Sequence, residues 1–249
     1  MPGLRREEVA QLASISTDYY ARLEQGRLPS ASESTLAAIA TVLGLDRGEE
    51  LYLRRLAKEA DGSTDSVDDQ VHTLTRRLLD NLTATPAVVL DRRMHVLAWN
   101  AMASAFFIDF SAVAPAQRNW VRMTFCDNRM RNMYAEWGPS GRACVALLRM
   151  LTVGSERDPQ LEHLVTELSA LDADFRLWWS DVLVSDMSTG DKRYRHPRFG
   201  EVTLDWQMLE IVGGAGHTLH VMSGEPGSIT QRALRTLELE IAAQQTDPA

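Results

Sequence analysis

The sequence predicts an all-α N-terminal domain followed by an α+β domain with an antiparallel sheet. Three observations predict it. Up to residue 60, apolar residues recur at helical spacing between small-residue turns. Residues 61–69 (DGSTDSVDD) are small, polar and acidic, which marks a linker. Beyond Pro86, short β-branched runs bracket a long helical stretch, and strands, helices, then strands again describe an α+β unit.

In the N-terminal part, a first helix runs from about Arg5 to Ala13 and a second from Thr17 to Gln25, separated by Ser14-Ile15-Ser16. Gly26 then suits the left-handed position that closes a helix. Ser32 caps a third helix carrying Leu36, Ile39, Ala40 and Leu43, followed by Gly44. Asp46 with Glu49 forms a capping-box pattern for a fourth, carrying Leu51, Leu53 and Leu56.

After the linker, Val71, Leu74, Leu78, Leu79 and Leu82 outline one apolar helix face. Pro86–Leu90 and Met94–Trp99 read as a hairpin around Asp91-Arg92-Arg93. Helical segments follow from about Ala101 to Val182. Glu201–Ile211 and His217–Ser223 read as strands joined by Gly213-Gly214-Ala215-Gly216. A domain over residues 70–230 is thus followed by a closing helix and tail, 231–249. The Ser228-x-x-Gln231 pattern starts this helix, and Leu234, Leu237 and Ile241 line it.

Composition narrows the function. Cys126 and Cys144 are the only cysteines and fit neither a disulfide framework nor a zinc finger, so a reducing, cytoplasmic setting is expected. No apolar run approaches the roughly 20 residues of a membrane span, and the charged N-terminus is not a signal peptide. The net charge is −8, yet residues 1–60 hold eight basic and nine acidic residues, so most of the acidity lies in the rest of the chain. DNA affinity would then come from a local arginine cluster and a dimer.

A bi-helical DNA reader needs a small residue at the helix crossing, a tight turn and a polar face on its second helix. Ala10 is the small residue, Ile15 plugs the turn and Ser16 caps the second helix. Val9, Tyr20 and Leu23 fall inward; Thr17, Asp18, Tyr19 and Arg22 project outward. Arg22 suits guanine O6 and N7, and Thr17 a thymine methyl or base edge. Arg5, Arg6 and Arg27 suit phosphate. Spacing alone leaves a plain helical hairpin equally open. The run EEVAQLA-SIS-TDYYARLEQGR, however, closely resembles the helix-turn-helix of XRE-family (Cro/repressor-like) regulators, in which a Glu-x-Gly such as Glu24-Gln25-Gly26 is typical. Ser14 departs from the glycine usual in that family. The resemblance covers helices two to five of a five-helix domain, so the first helix is expected to be missing and DNA binding to be weak.

A second resemblance spans roughly residues 70–230. PAVVLDRRMHVLAWNAMASAFF, NWVRMTFCDNRMRNMYAEW, LVTELSALDADFRLWWSDVLV and GDKRYRHPRFGEVTLDWQMLEI look like successive blocks of the MmyB-like ligand-binding domain. The Trp99-Asn100 pair and Lys192–Pro197 make the match specific. That family is PAS-like, so the resemblance implies a sheet cupped by helices around a pocket for a fatty-acid-like or other small apolar molecule. Trp99, Phe106, Phe107, Trp120, Phe125, Trp137, Leu148, Phe175, Trp178 and Trp179 are the candidate lining. Arg122, Arg142 or the Arg195-His196 pair is the candidate partner of a carboxylate. At each position ordinary core packing competes with ligand contact, and His196 equally suits capping of backbone groups.

Enzyme chemistry finds little support. His217 and His220 sit three apart on an expected strand and face opposite sides, unlike metal ligands. Asp172 and Asp174 suit a helix cap, Pro139-Ser140-Gly141 lacks the form of a nucleophile elbow, and Gly213–Gly216 is not followed by the Lys-Ser/Thr of a phosphate loop. The reading is a ligand-responsive, DNA-binding, homodimeric regulator with no cofactor, metal or membrane contact and no catalysis. The stripes Leu234-Leu237-Ile241 and Leu74-Leu78-Leu82 are its candidate dimer seams. A sensor module without DNA binding and an enzyme using the same pocket remain the alternatives.

Overall fold

The computed structural model describes residues 4–27, 31–59, 70–153, 158–181, 189–212 and 216–246. The expected linker at 61–69 and most of the 213–216 turn lie outside the described residues.

The N-terminal unit consists of α1 (Arg6–Leu12), α2 (Thr17–Glu24), α3 (Glu33–Leu43) and α4 (Arg47–Glu59). Local chemistry sets their ends. Ser16 and Ser32 accept from the backbone N–H groups of Tyr19 and Thr35, both at 3.1 Å. Asp46 and Glu49 exchange reciprocal side-chain-to-backbone bonds of 2.9 Å, the expected capping box. α2 closes in a Schellman turn: Arg27 N–H reaches the Arg22 carbonyl and Gly26 N–H the Leu23 carbonyl, with Gly26 at φ +63°. α1 closes by the same pattern, with Ile15 N–H on the Ala10 carbonyl and Ser14 N–H on that of Gln11. Ser14 therefore holds the left-handed position, at φ +57°. Val9, Ala10, Ala13, Tyr20 and Ile39 form the buried core, with Ile15, Leu23 and Leu53 packed against it.

The C-terminal unit opens with α5 (Thr73–Asn81), β1 (Ala87–Leu90), β2 (Val96–Trp99) and α6 (Ala101–Phe106). Two short 3₁₀ turns lead to α7 (Trp120–Cys126), α8 (Asn128–Met133), α9 (Trp137–Leu151), α10 (Pro159–Leu171) and α11 (Ala173–Ser180). β3 (Thr189–His196), β4 (Gly200–Glu210), β5 (Thr218–Ser223) and α12 (Ile229–Thr246) complete it. The five strands form one antiparallel sheet in the order β2-β1-β5-β4-β3. Alternation divides its residues between two faces. Val88, Leu90, Tyr194, Val202, Leu204 and Met222 join the main core with the helices. Ala87, Val89, Ala98 and Leu219 pack on the opposite face with Val71 and Leu79. β1 is covered on both sides, which explains its unbroken AVVL run.

Three expectations change in three dimensions. β3 is a full strand, where the sequence suggested at most a β-entry at Lys192. The α5 stripe splits: Val71 and Leu79 are buried, whereas Leu74 and Leu78 are 63% and 48% exposed. The α12 stripe is no free seam, because Leu234 and Leu237 are buried in their own domain and Ile241 packs there too. Arg198 of the β3–β4 turn clasps Glu240 of α12, which holds that face inward.

Candidate DNA-reading face and sensor interior

On α2, Thr17, Asp18 and Arg22 are exposed and Tyr19 is half-buried, while Tyr20 is buried and Leu23 packs inward. The N-terminal turn of α2 is thus presented outward on a helix fixed at both ends. Arg5 and Arg27 are exposed and, among the described residues, neither they nor Arg22 take part in an ion pair. Arg6 differs: its Nε donates to Glu24 Oε2 at 2.6 Å, across 18 residues. Tyr20 also donates to Glu24, and burial, with the Glu24 charge behind it, raises the Tyr20 pKa. Glu24 therefore joins the start of α1 to the end of α2. Arg6, expected to face phosphate, is thus paired within the helical unit.

In the C-terminal unit, the expected aromatic residues meet in one packed network. Phe106, Phe107, Trp120, Phe125, Leu148, Phe175 and Trp178 are buried, with Trp99, Trp137 and Trp179 partly buried against them. Phe107 meets Trp120 edge-on at 5.3 Å, Phe125 meets Trp137 at 5.1 Å and Phe175 at 5.2 Å, and Phe175 stacks on Trp179 at 5.8 Å. Gly141 lies under Trp178 so closely that a Cβ there would be 2.4 Å from the ring. Trp99-Asn100 has a structural explanation. Asn100, buried, accepts from Ala87 and Ala103 N–H and donates to the Leu82 and Thr85 carbonyls, tying β1 to the cap of α6.

Three of the expected polar anchors, Arg122, Arg142 and His196, are already engaged. Arg122 pairs with Glu167 at 2.6 Å and lines a cleft of about 330 Å³ with Met123, Cys126 and Asn128. Arg142 lies over Trp178. Arg195 is exposed on the outer face of β3. His196 is buried, and its Nδ1 accepts from the N–H groups of Arg198 and Phe199, closing the β3–β4 turn before Gly200 at φ +72°. Burial lowers its pKa, and a bond to the Phe106 backbone opposes that shift. His196 acts here as the backbone cap its position also suggested, so its ring is not a free ligand group. Asp172 caps α11 through Phe175 N–H at 2.9 Å; with Asp174 it holds Arg131, and Asp174 also accepts from Trp137. That carboxylate pair is structural. Among the described residues no cluster of His, Cys, Asp or Glu fits a metal ion.

Sequence reading missed one inner group: Lys192, Trp206 and His220, with Cys144 of α9 beside them. The signal was present, since Lys192, Tyr194 and His196 alternate with exposed neighbours. Recognising it required seeing 189–196 as a strand. The Lys192 ammonium lies 5.3 Å from the Trp206 ring centroid. Burial pushes the His220 imidazole down to about 3, and the Lys192 charge adds to this.

The described residues thus form an N-terminal helical unit with a capped, outward-facing second helix, and a C-terminal α+β unit. The family follows from the match to known domains. Residues 71–237 match the MmyB-like transcription regulator ligand binding domain, and residues 2–65 match a helix-turn-helix domain. The chain belongs to the MmyB-like transcription regulators and is a ligand-responsive regulator of transcription. Among curated proteins, no sequence matches it. No helix among the described residues is long and apolar enough to cross a membrane.

Proposed function

We propose that this regulator reads DNA in the XRE manner through α2, and that its PAS-like sensor binds a small apolar, fatty-acid-like molecule that alters DNA binding. The exposed face formed by Thr17, Asp18 and Arg22, on a helix capped by Ser16 and closed at Gly26, carries the first half of the reading. An antiparallel sheet with most of its helices over one face and an aromatic-rich interior supports the second half. The aromatic side chains are packed against one another, so ligand entry requires some of them to move, which would couple occupancy to domain shape. Binding is reversible recognition with no catalytic step, and it takes place in the cytoplasm with the DNA.

The regulator works as a homodimer on paired half-sites. Leu74 and Leu78 of α5 support this, because they remain exposed while the α12 stripe is used internally. The deciding experiment is native mass spectrometry of the freshly purified chain, followed by gel-shift on its upstream DNA with and without the extracted ligand. A bound acyl-type molecule, a dimer mass and a ligand-dependent shift are expected. Absence of any organic ligand, with unchanged DNA affinity on adding fatty acids, would overturn the sensor reading.

A further inference from the structure

We propose that Asp18 is a specificity-determining residue: its carboxylate accepts a hydrogen bond from a cytosine amino group in the major groove, close to the guanine taken by Arg22. This rests on the reading that α2 enters that groove.

α2 carries two acids, Asp18 and Glu24. Glu24 is occupied by Arg6 and Tyr20. Asp18 is exposed in the first turn, and among the described residues it forms no side-chain hydrogen bond or ion pair. It is not the cap, since Ser16 accepts from the Tyr19 N–H. The first turns of α1, α3 and α4 each hold an acid bonded within the unit: Glu8 to the Arg5 N–H, Glu33 to Arg54 and Glu49 to the Asp46 N–H. Asp18 and Arg22 stand four residues apart on one face with the acid first, the order that favours an ion pair. Glu50 and Arg54 of α4 share that order and spacing and meet at 2.7 Å. Asp18 and Arg22 form no such pair, so both groups are presented free on the outward side of α2.

The chemistry of the groove gives this arrangement a meaning. Phosphates flank the groove and repel a carboxylate, so an acid is favourable there only opposite a donor. The base donors in the major groove are the amino groups of cytosine (N4) and adenine (N6), whereas guanine and thymine present acceptors. Adenine sets its N7 acceptor beside N6, which suits an amide and opposes the second oxygen of a carboxylate; cytosine sets no acceptor beside N4 on that edge. A carboxylate therefore selects cytosine. Four helical residues rise about 6 Å, which matches about two base steps, so this cytosine and the Arg22 guanine lie within about two base pairs of each other.

The test is selection of binding sites from random duplex DNA by the full chain and its variants, read by sequencing. Wild type is expected to enrich cytosine at one position of the half-site, about tenfold or more over guanine and thymine, as for a hydrogen bond to a charged group. Asp18→Asn should move that one preference to adenine, whose N6 and N7 an amide meets together, and leave the other positions unchanged. Asp18→Ala should erase the preference at that position and bind unrelated DNA more tightly than wild type, because a charge repelled by phosphate is gone. Arg22→Ala should instead erase a guanine within about two base pairs. An Asp18→Asn motif identical to that of wild type, with the Arg22→Ala motif altered, overturns the inference and leaves the α2 reading standing. A motif weakened evenly at every position by Asp18→Asn makes the acid a mere support of the helix and overturns it as well. Motifs that neither Asp18→Asn nor Arg22→Ala alters overturn both readings, as does a wild type that enriches no sequence.

Discussion

Arg6 Nε donates to Glu24 Oε2 at 2.6 Å, so the first helical residue of α1 is tied to the last of α2. Both partners are largely exposed, and such a pair contributes about 0.2–1 kcal/mol. Its importance is angular, because it fixes how α2 leaves the domain. Removing an acid from a DNA-binding surface ordinarily strengthens binding. Here Glu24→Ala is expected to weaken binding to the specific site, and Arg6→Ala to weaken it by a similar factor. The double variant should do no worse than either single one. Fluorescence anisotropy with operator DNA measures all three, and a gain in specific affinity for Glu24→Ala would refute the bracing role.

Arg22 is the base-reading candidate on the same helix. Arg22→Ala should cost about 1–3 kcal/mol on the cognate site and far less on unrelated DNA. Arg5→Ala, which removes an unpaired exposed cation, should weaken both alike and flatten the salt dependence. Unchanged operator affinity for Arg22→Ala would show that α2 does not enter the groove as supposed.

Ser14 holds a left-handed backbone, at φ +57°, in the position that glycine takes after α2 and α3. A side chain in that region costs about 1–2 kcal/mol. Ser14→Gly should recover much of this, less the extra entropy glycine gives the unfolded chain. Thermal unfolding should show a rise of a few degrees in the transition of the N-terminal unit, and Ser14→Val should show a fall.

In the sensor, Gly141 is fixed by packing rather than by backbone conformation, since an added Cβ would strike the Trp178 ring. Both residues are buried. Gly141→Ala is expected to cost about 1–3 kcal/mol by displacing that ring and its partners Phe125 and Trp137. Tryptophan fluorescence during urea unfolding reads both the lost stability and the disturbed ring environment.

His220 makes the sensor acid-sensitive. Burial holds its folded pKa near 3, against an ordinary value of 6.5, so the unfolded chain takes up the proton first as pH falls. Stability is full above about 6.5 and declines toward 3, by up to about 1.4 kcal/mol per pH unit. The lowered carboxylates, Asp127 beside Arg129 and Glu240 beside Arg198, act only below the ordinary carboxylate range. Between about pH 6.5 and 4.5 the buried His196, its pKa also lowered, acts in the same direction and the raised Asp91 opposes it, so the share of His220 is read by comparison with a His220→Gln variant. Urea midpoints across that interval should fall steeply for wild type and much less for His220→Gln. Equal slopes would mean that the imidazole is solvated.

The sequence by itself determined the helix ends and the two-domain order. Ser16, Gly26, Ser32, Gly44 and the Asp46–Glu49 box act within a few residues, so their chemistry is complete in the local chain. Tertiary structure alone decided which apolar stripe is covered. Leu234 and Leu237 look like a seam but pack in the core of their own domain, whereas Leu74 and Leu78, the other candidate seam, stay outside. Periodicity identifies a face and not the surface that meets it, because burial depends on where distant elements lie. The same limit hid β3, whose charged residues mask a strand buried on one side only. Lys192 reads as a solvated charge in sequence. The register of β3 on β4, with Lys192 opposite Leu204 and Gly190 opposite Trp206, turns it inward over the indole.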